Sequence, residues 1–209
     1  MAVSRNCKQE LEDLYGITSK KIIVLNNFVD ERLFYPEAVS QSKKIRVLFS
    51  GRLEERKGLS KLVELAKAVE LTENYELRIA TNSQDNAEQC KGLKNTLINI
   101  NLDIQAMHDF YNAGDIFFFP TKYEGFSMAT LEALASGIPV IGTGFAIPEE
   151  LRHYDFVQIV ESQRTEELLE KAAIMVDTFK NRRLEIHNTI IKDFGSGQYK
   201  VKLFSLLQI

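Results

Sequence analysis

Along the middle of the chain, short apolar runs rich in β-branched residues and phenylalanine alternate with longer amphipathic stretches, and few architectures accept that pattern. The runs KIIVLN at 21–26, IRVLFS at 45–50, YELRIAT at 75–81, TLINI at 96–100, DIFFFP at 115–120, IPVIGT at 138–143 and FVQIVE at 156–161 read as strands. Strands apolar on both faces and separated by helices imply a mostly parallel sheet covered on both sides, an α/β chain in three layers. Between the strands, LSKLVELAKAVEL at 59–71 places Leu62, Leu65, Ala66 and Val69 on one helical face, and the helix IQAMHDFYNAG is expected to stop at Gly114.

The two ends depart from the alternation. In SRNCKQELEDLYG, Ser4 is placed to cap a helix that Gly16 ends. Beyond residue 163, TEELLEKAAIMVDTF, NRRLEIHNTIIKDFG and GQYKVKLFSLLQI all read as helix. The apolar residues of the last segment, Val201, Leu203, Phe204, Leu206 and Leu207, are expected to cover this chain's own core, the other reading being a face for a partner. At 209 residues the chain is one large α/β domain or one half of something bigger, and no internal repeat or Pro-rich linker marks a boundary.

Composition removes several classes of function. With 44% hydrophobic and 26% charged residues the chain is globular rather than disordered. Its 26 basic and 29 acidic residues leave a net charge of -3 without a basic stripe, which argues against nucleic-acid binding through a general basic surface. Cys7 and Cys90 are far apart and have no CxxC spacing, so neither a disulfide framework nor a zinc site is indicated. A reducing, cytoplasmic setting fits this usage. No apolar run approaches the ~20 residues of a spanning helix, and the first ten residues lack a signal peptide's apolar core. Peripheral contact with the inner face of a membrane stays open.

The segment FFFPTKYEGFSMATLEALASGIPVIGT runs from a strand through a short loop into a helix expected to begin near Phe126. Glu124 and Glu132 bracket the helix start; were the whole stretch helical, they would stand ~12 Å apart along the axis and ~80° apart around it. The two acids can then face one groove but cannot share a proton, and their spacing does not match a glycosidase, whose carboxyl pair stands roughly 5 to 9.5 Å apart. It suits an elongated ligand. Amide N–H groups near Phe126, Ser127 and Met128 would open toward the same groove, with the helix dipole behind them, as a site for an anion such as a diphosphate. In FSGRLEERKGLSKLV, Gly51 makes the turn after a strand, and Arg52 and Lys57 stand beyond it. Both segments follow strands, where ligands of open α/β sheets bind, so these cations could neutralise the same diphosphate. Read alone, they fit surface ion pairs with Glu54 and Glu55 better.

Together the segments resemble the C-terminal half of a GT-B fold glycosyltransferase, in the large retaining family of glycosyl transferases group 1. EGFSMATLE, from Glu124 to Glu132, is similar to the family's E-x7-E signature, FSGRLEERKGLSKLV to its G-R-L-x-x-x-K-G segment, and VLNNFVDERLFYP to its N-G-V-D-x-x-x-F stretch. The resemblance implies a Rossmann-like fold with extra C-terminal helices. Residues 1–18 would be an interdomain linker helix and 19–180 a domain binding a nucleotide-sugar donor. Residues 181–209 would be helices packing on it or on an N-terminal domain.

The resemblance further implies retaining transfer of a hexosyl group from a UDP- or GDP-type donor to a glycan or lipid-linked acceptor. Catalytic roles fall to Glu124, Arg52 and Lys57: Glu124 would hold hydroxyls of the transferred sugar, and Arg52 and Lys57 the diphosphate. Glu132 would hold the ribose. Gly51 and the backbone of Gly125, Phe126, Ser127 and Met128 would line the donor, with Thr130 and Leu131 nearby. Base recognition would fall to Thr81, Asn82 or Ile104. The acceptor would bind mainly to an N-terminal domain, supplied in cis or trans, so that this chain by itself holds the donor and transfers nothing. The alternative is a non-catalytic nucleotide-sugar-binding module or one chain of a split enzyme.

The resemblance also implies no cofactor and no obligatory metal, and the sequence agrees: the chain has no D-x-D triplet, and His108, His153 and His187 are dispersed. Asn27 and Phe28 stand where the family usually has one glycine, Ser127 replaces another, and Ala146 and Ile147 precede Glu149 and Glu150 in place of a glycine pair. Two competing motifs fail. GTGFAI at 142–147 lacks the third glycine of a dinucleotide loop, and GRLEERKG does not fit a P-loop.

Overall fold

The computed structural model of the chain describes residues 1–38, 42–144, 146–161 and 164–207. Six parallel strands form one sheet: β1 (Ile45–Ser50), β2 (Tyr75–Thr81), β3 (Thr96–Ile100), β4 (Ile116–Phe119), β5 (Val140–Gly142) and β6 (Val157–Ile159). Their order across the sheet is β3-β2-β1-β4-β5-β6. The chain winds outward from β1 to one edge, crosses back to β4 and winds outward again, so β1 and β4 are neighbours whose connections leave in opposite directions. Such a switch point opens a crevice at the carboxyl ends of the two strands.

Helices cover the sheet: α1 (Arg5–Tyr15), α2 (Leu59–Glu70), α3 (Gln84–Ala87), α4 (Ile104–Asn112), α5 (Met128–Ala135), α6 (Thr165–Phe179), α7 (Arg183–Phe194) and α8 (Ser196–Leu207). The expected face of α2 is the one that packs, with Leu62, Leu65, Ala66 and Val69 fully buried. All four residues of β4 are buried, as covering on both faces requires, and Phe117 and Phe119 stack at 5.8 Å. Ser4 caps α1 by accepting from the Cys7 amide, and Gly16 ends the helix in the left-handed conformation. The fold is thus the Rossmann-like α/β sandwich that the sequence led us to expect, with further helices at its C-terminal end.

Four expectations change. The run at 21–26 is not a strand of the sheet; it forms a single bridge, Ala2 to Val24, because only residues 1–3 run beside it. Helix α4 ends at Asn112 rather than at Gly114. Gly114 instead leaves room for β1, since a Cβ there would stand 2.2 Å from Leu48 Cδ1. Helix α5 begins at Met128, with Ser127 as its cap, so Glu124 lies in the preceding loop. The last helix does not cover the core. Within α8 no residue is buried, and Val201, Phe204 and Leu207 are each more than half exposed. It is α7 that docks, burying Ile186, Ile190 and Phe194, with Phe194 against Phe126 at 5.7 Å. Gln208 and Ile209, at the end of the expected last helix, and Phe145, inside GTGFAI, lie outside the described residues. Among the described residues no helix is long and apolar enough to cross a membrane.

Candidate donor site

At the switch point the loop after β1 and the loop after β4 are bound to each other. The carbonyl of Arg56 accepts from the Lys122 amide at 2.9 Å and from the Thr121 hydroxyl at 3.1 Å. Gly58, at φ 87°, follows a short 3-10 turn over Glu55–Lys57 and lies so close to the other loop that a Cβ would meet the Pro120 carbonyl oxygen at 2.4 Å. Only glycine meets both conditions, which explains the K-G pair in the sequence. Across this junction Lys57 and Glu124 form an ion pair, with side chains 16% and 18% exposed. Lys57 also stands over the Phe119 ring, 5.6 Å from its centroid.

Arg52 differs from Lys57. Its guanidinium is 57% exposed and lies 3.5 Å from Glu54 Oε1, a surface ion pair of the alternative kind. Gly51 makes the turn after β1, its amide bonded to Ala80 O at 3.0 Å.

On the other side of the junction, Ser127 caps α5 by accepting from the Thr130 amide at 3.1 Å. Its capping leaves the first-turn amides of Met128 and Ala129 without an intrahelical partner, backed by the helix dipole. The Phe126 side chain belongs to the core, and the Phe126 carbonyl accepts from Asn27 Nδ2 at 3.1 Å. Leu131 is fully buried and donates its amide to Ser127 O, so only its neighbours can reach a ligand. Thr130 is buried with its hydroxyl unpaired.

Glu132 turns to α4, where its Oε2 accepts from the Tyr111 hydroxyl at 2.9 Å. Burial raises the Glu132 carboxyl above its ordinary range, and the Tyr111 hydrogen bond opposes that rise. A cleft of ≈ 820 Å3 opens beside the junction and takes Glu124, Lys122 and Tyr123 into its lining, together with Thr143 and Gly144. Glu132 is not among its lining residues, nor are Arg52, Lys57 and Met128, so of the expected donor ligands only Glu124 faces this cleft and the two acids do not share it. The physical reason is that Glu124 leaves a loop toward a cation while Glu132 leaves a helix toward the neighbouring helix.

The three candidate base-binding residues stand at the ends of β2 and β3. Thr81 is nearly buried and accepts from the Ser83 amide, Asn82 is exposed, and Ile104 is half exposed in the first turn of α4. Sequence reasoning missed Asn27, Tyr111 and Tyr123. Tyr123 donates to Glu10 at 2.6 Å, and that carboxylate holds its hydroxyl up at about 12, tying the site loop to α1. Only Asn27 left a signal, as a departure from the family pattern. The histidines stay apart: His108 lies on Leu33 O, His187 on Ala135 O, and His153 against Tyr154.

Comparison with known proteins bears on this geometry. The family model described as Glycosyl transferases group 1 matches residues 44–178. The mannosylfructose-phosphate synthase of Agrobacterium fabrum is 27% identical over 157 residues, 64% of this chain and 34% of that protein. A probable sucrose-phosphate synthase of Thermosipho melanesiensis is 25% identical over 201 residues, 88% of this chain and 47% of its own. The chain thus spans about a third to a half of the length of the curated relatives it matches. Among solved structures, a glycosyltransferase from Rickettsia africae superposes with a TM-score of 0.80 at 21% identity, over 98% of this chain and 61% of that one. The Anabaena protein HepE, solved with UDP and glucose, gives 0.79 at 14% identity, over 99% and 62%. These structures share the fold, and the family match spans both site loops and the whole sheet: the chain belongs to the group 1 glycosyl transferases.

Proposed function

We propose that this chain is the donor-binding part of a retaining glycosyltransferase. It holds a nucleoside-diphosphate sugar, UDP- or GDP-linked, from which a hexosyl group passes to a glycan or lipid-linked acceptor. The observation that carries this reading is the junction at the switch point, where Lys57 meets Glu124 beside the amino end of α5. A cation, a carboxylate and unpaired amides meet where open α/β sheets bind ligands, and a diphosphate linked to a sugar calls for all three.

In this reading the diphosphate lies on Lys57 and on the Met128 and Ala129 amides, and the exposed Arg52 turns in as a fork. Sugar hydroxyls donate to Glu124, and ribose hydroxyls donate to Glu132. As the bond from the anomeric carbon to the phosphate oxygen breaks, negative charge grows on the departing diphosphate. Lys57 and the helix end are already placed to meet that charge, and the reading calls on no metal. The acceptor is assigned to a second, N-terminal domain, in cis or trans; the curated relatives are two to three times as long as the segment they share with this chain. By itself the chain is expected to bind donor and to transfer no sugar.

Titration calorimetry with UDP, GDP and ADP at low salt tests the assignment, and failure of the folded chain to bind any of them at millimolar concentration overturns it. Replacing Glu132 by Ala is expected to weaken the bare nucleotide about tenfold or more, the loss of a charge-assisted hydrogen bond. Replacing Glu124 by Ala is expected to remove mainly the extra affinity that the sugar confers. Equal losses for a nucleotide and its sugar conjugate would contradict the two roles.

A further inference from the structure

Tyr111 is fully buried on α4, and its ring packs against Phe34, Phe110 and Phe117 at centroid distances of 5.7, 5.6 and 6.0 Å. Phenylalanine would serve such surroundings, and a buried hydroxyl is costly unless it is hydrogen-bonded. What distinguishes this position is therefore the hydroxyl. It donates to Glu132 Oε2 at 2.9 Å, and Ser50, the last residue of β1, faces the same phenol. A single polar group thus links the end of β1, α4 and α5 around the switch point.

The carboxylate of Glu132 has two oxygens, and Tyr111 occupies only one. Among the described residues Oε1 has no hydrogen-bond partner, and it is not one of the fully buried unpaired atoms, so it keeps contact with solvent. A free glutamate has three rotatable side-chain bonds, and anchoring one oxygen in the core removes most of that freedom before a ligand arrives. We propose that Tyr111 is a positioning residue: by anchoring Oε2 of Glu132 it presents Oε1 to the ribose hydroxyls, so that the site selects ribonucleotides over their 2′-deoxy counterparts. This inference rests on Glu132 being the ribose ligand.

The test is calorimetric titration of the chain with whichever of UDP, GDP and ADP binds best and with its 2′-deoxy form. The unsubstituted chain is expected to prefer the ribonucleotide about tenfold. In Tyr111→Phe that preference falls to twofold or less, while affinity for the 2′-deoxy ligand stays within twofold because the diphosphate contacts are untouched. Adding Tyr111→Phe to Glu132→Ala is expected to change nothing further. A purely structural role would weaken both ligands equally, and that result, or a preference that survives Tyr111→Phe, overturns the inference while leaving the ribose assignment intact. Equal binding of both ligands by the unsubstituted chain overturns the ribose assignment and the inference together. Glu132→Asp, which leaves the aromatic packing around Tyr111 in place, is the second variant. One methylene shorter, it cannot reach Tyr111 and the ribose at once, so its preference should also vanish, and a full tenfold preference there counts against anchoring.

Discussion

At the scale of single residues, the charged groups of the site are held in different ways. Lys57 is largely buried and paired, Arg52 is exposed and loosely paired, and Glu132 is partly buried with one neutral partner. The chemistry-bearing residues could be picked from the sequence because the segments that carry them resemble the motifs of a known family; spacing from a strand end or a helix start only placed them where a ligand could bind. Their partners could not: nothing local to Tyr111, in the run DFYNAGD, distinguishes it from a core aromatic. Glu132 gives a prediction of its own. Its folded-state pKa lies above the unfolded value of about 4.3, so its contribution to stability is fully present below that value and is lost as pH rises through the folded pKa. Glu132→Gln is therefore expected to match the unsubstituted chain near pH 4 and to gain on it progressively as pH rises, levelling off above the folded pKa. Urea denaturation from pH 4 to pH 8 measures this, and a gain appearing only on acidification would contradict it.

At the scale of elements, periodicity was a dependable guide wherever an element buries a regular face. Helix α2 and strands β1 to β4 lie within a residue or two of their expected bounds. The guide failed at residues 21–26, which join no strand of the sheet, and at α8, whose leucines and phenylalanine are not buried among the described residues. A strand or helix face is stabilised by what it packs against, and pattern alone does not supply a partner. The loops around the site depend on one close approach. Gly58→Ala would force a left-handed conformation on alanine and drive its methyl group into the Pro120 carbonyl. The expected cost is about 1–3 kcal/mol of stability, together with weaker binding of UDP or GDP, because the two loops can no longer close on each other. Chemical denaturation paired with calorimetry checks both, and an unchanged midpoint would show that the loop has slack.

At the scale of the whole molecule, the two C-terminal helices are opposites. Phe194 on α7 is 6% exposed and packs on Phe126 beside the site, whereas Phe204 on α8 is 51% exposed. Phe194→Ala is expected to cost about 3–5 kcal/mol and Phe204→Ala less than about 0.5 kcal/mol, both read from urea midpoints. Comparable losses would mean that α8 contributes to the core after all. Of the C-terminal helices, α7 packs on α5 and buries Ile186, Ile190 and Phe194 in the core.

The sequence by itself determined the six strands of the sheet and most of the helices between them, the residue types at the strand ends and the order of the motifs, because these are short-range properties of side-chain period, capping and turn chemistry. Only the tertiary structure decided that β1 and β4 are neighbours, that Lys57 therefore meets Glu124, and that Glu132 turns to a tyrosine on another helix. Those contacts join residues 67 and 21 positions apart in the chain. What brings them together is the packing of one sheet and its helices into a common core, a property of the whole fold that no window of the sequence contains.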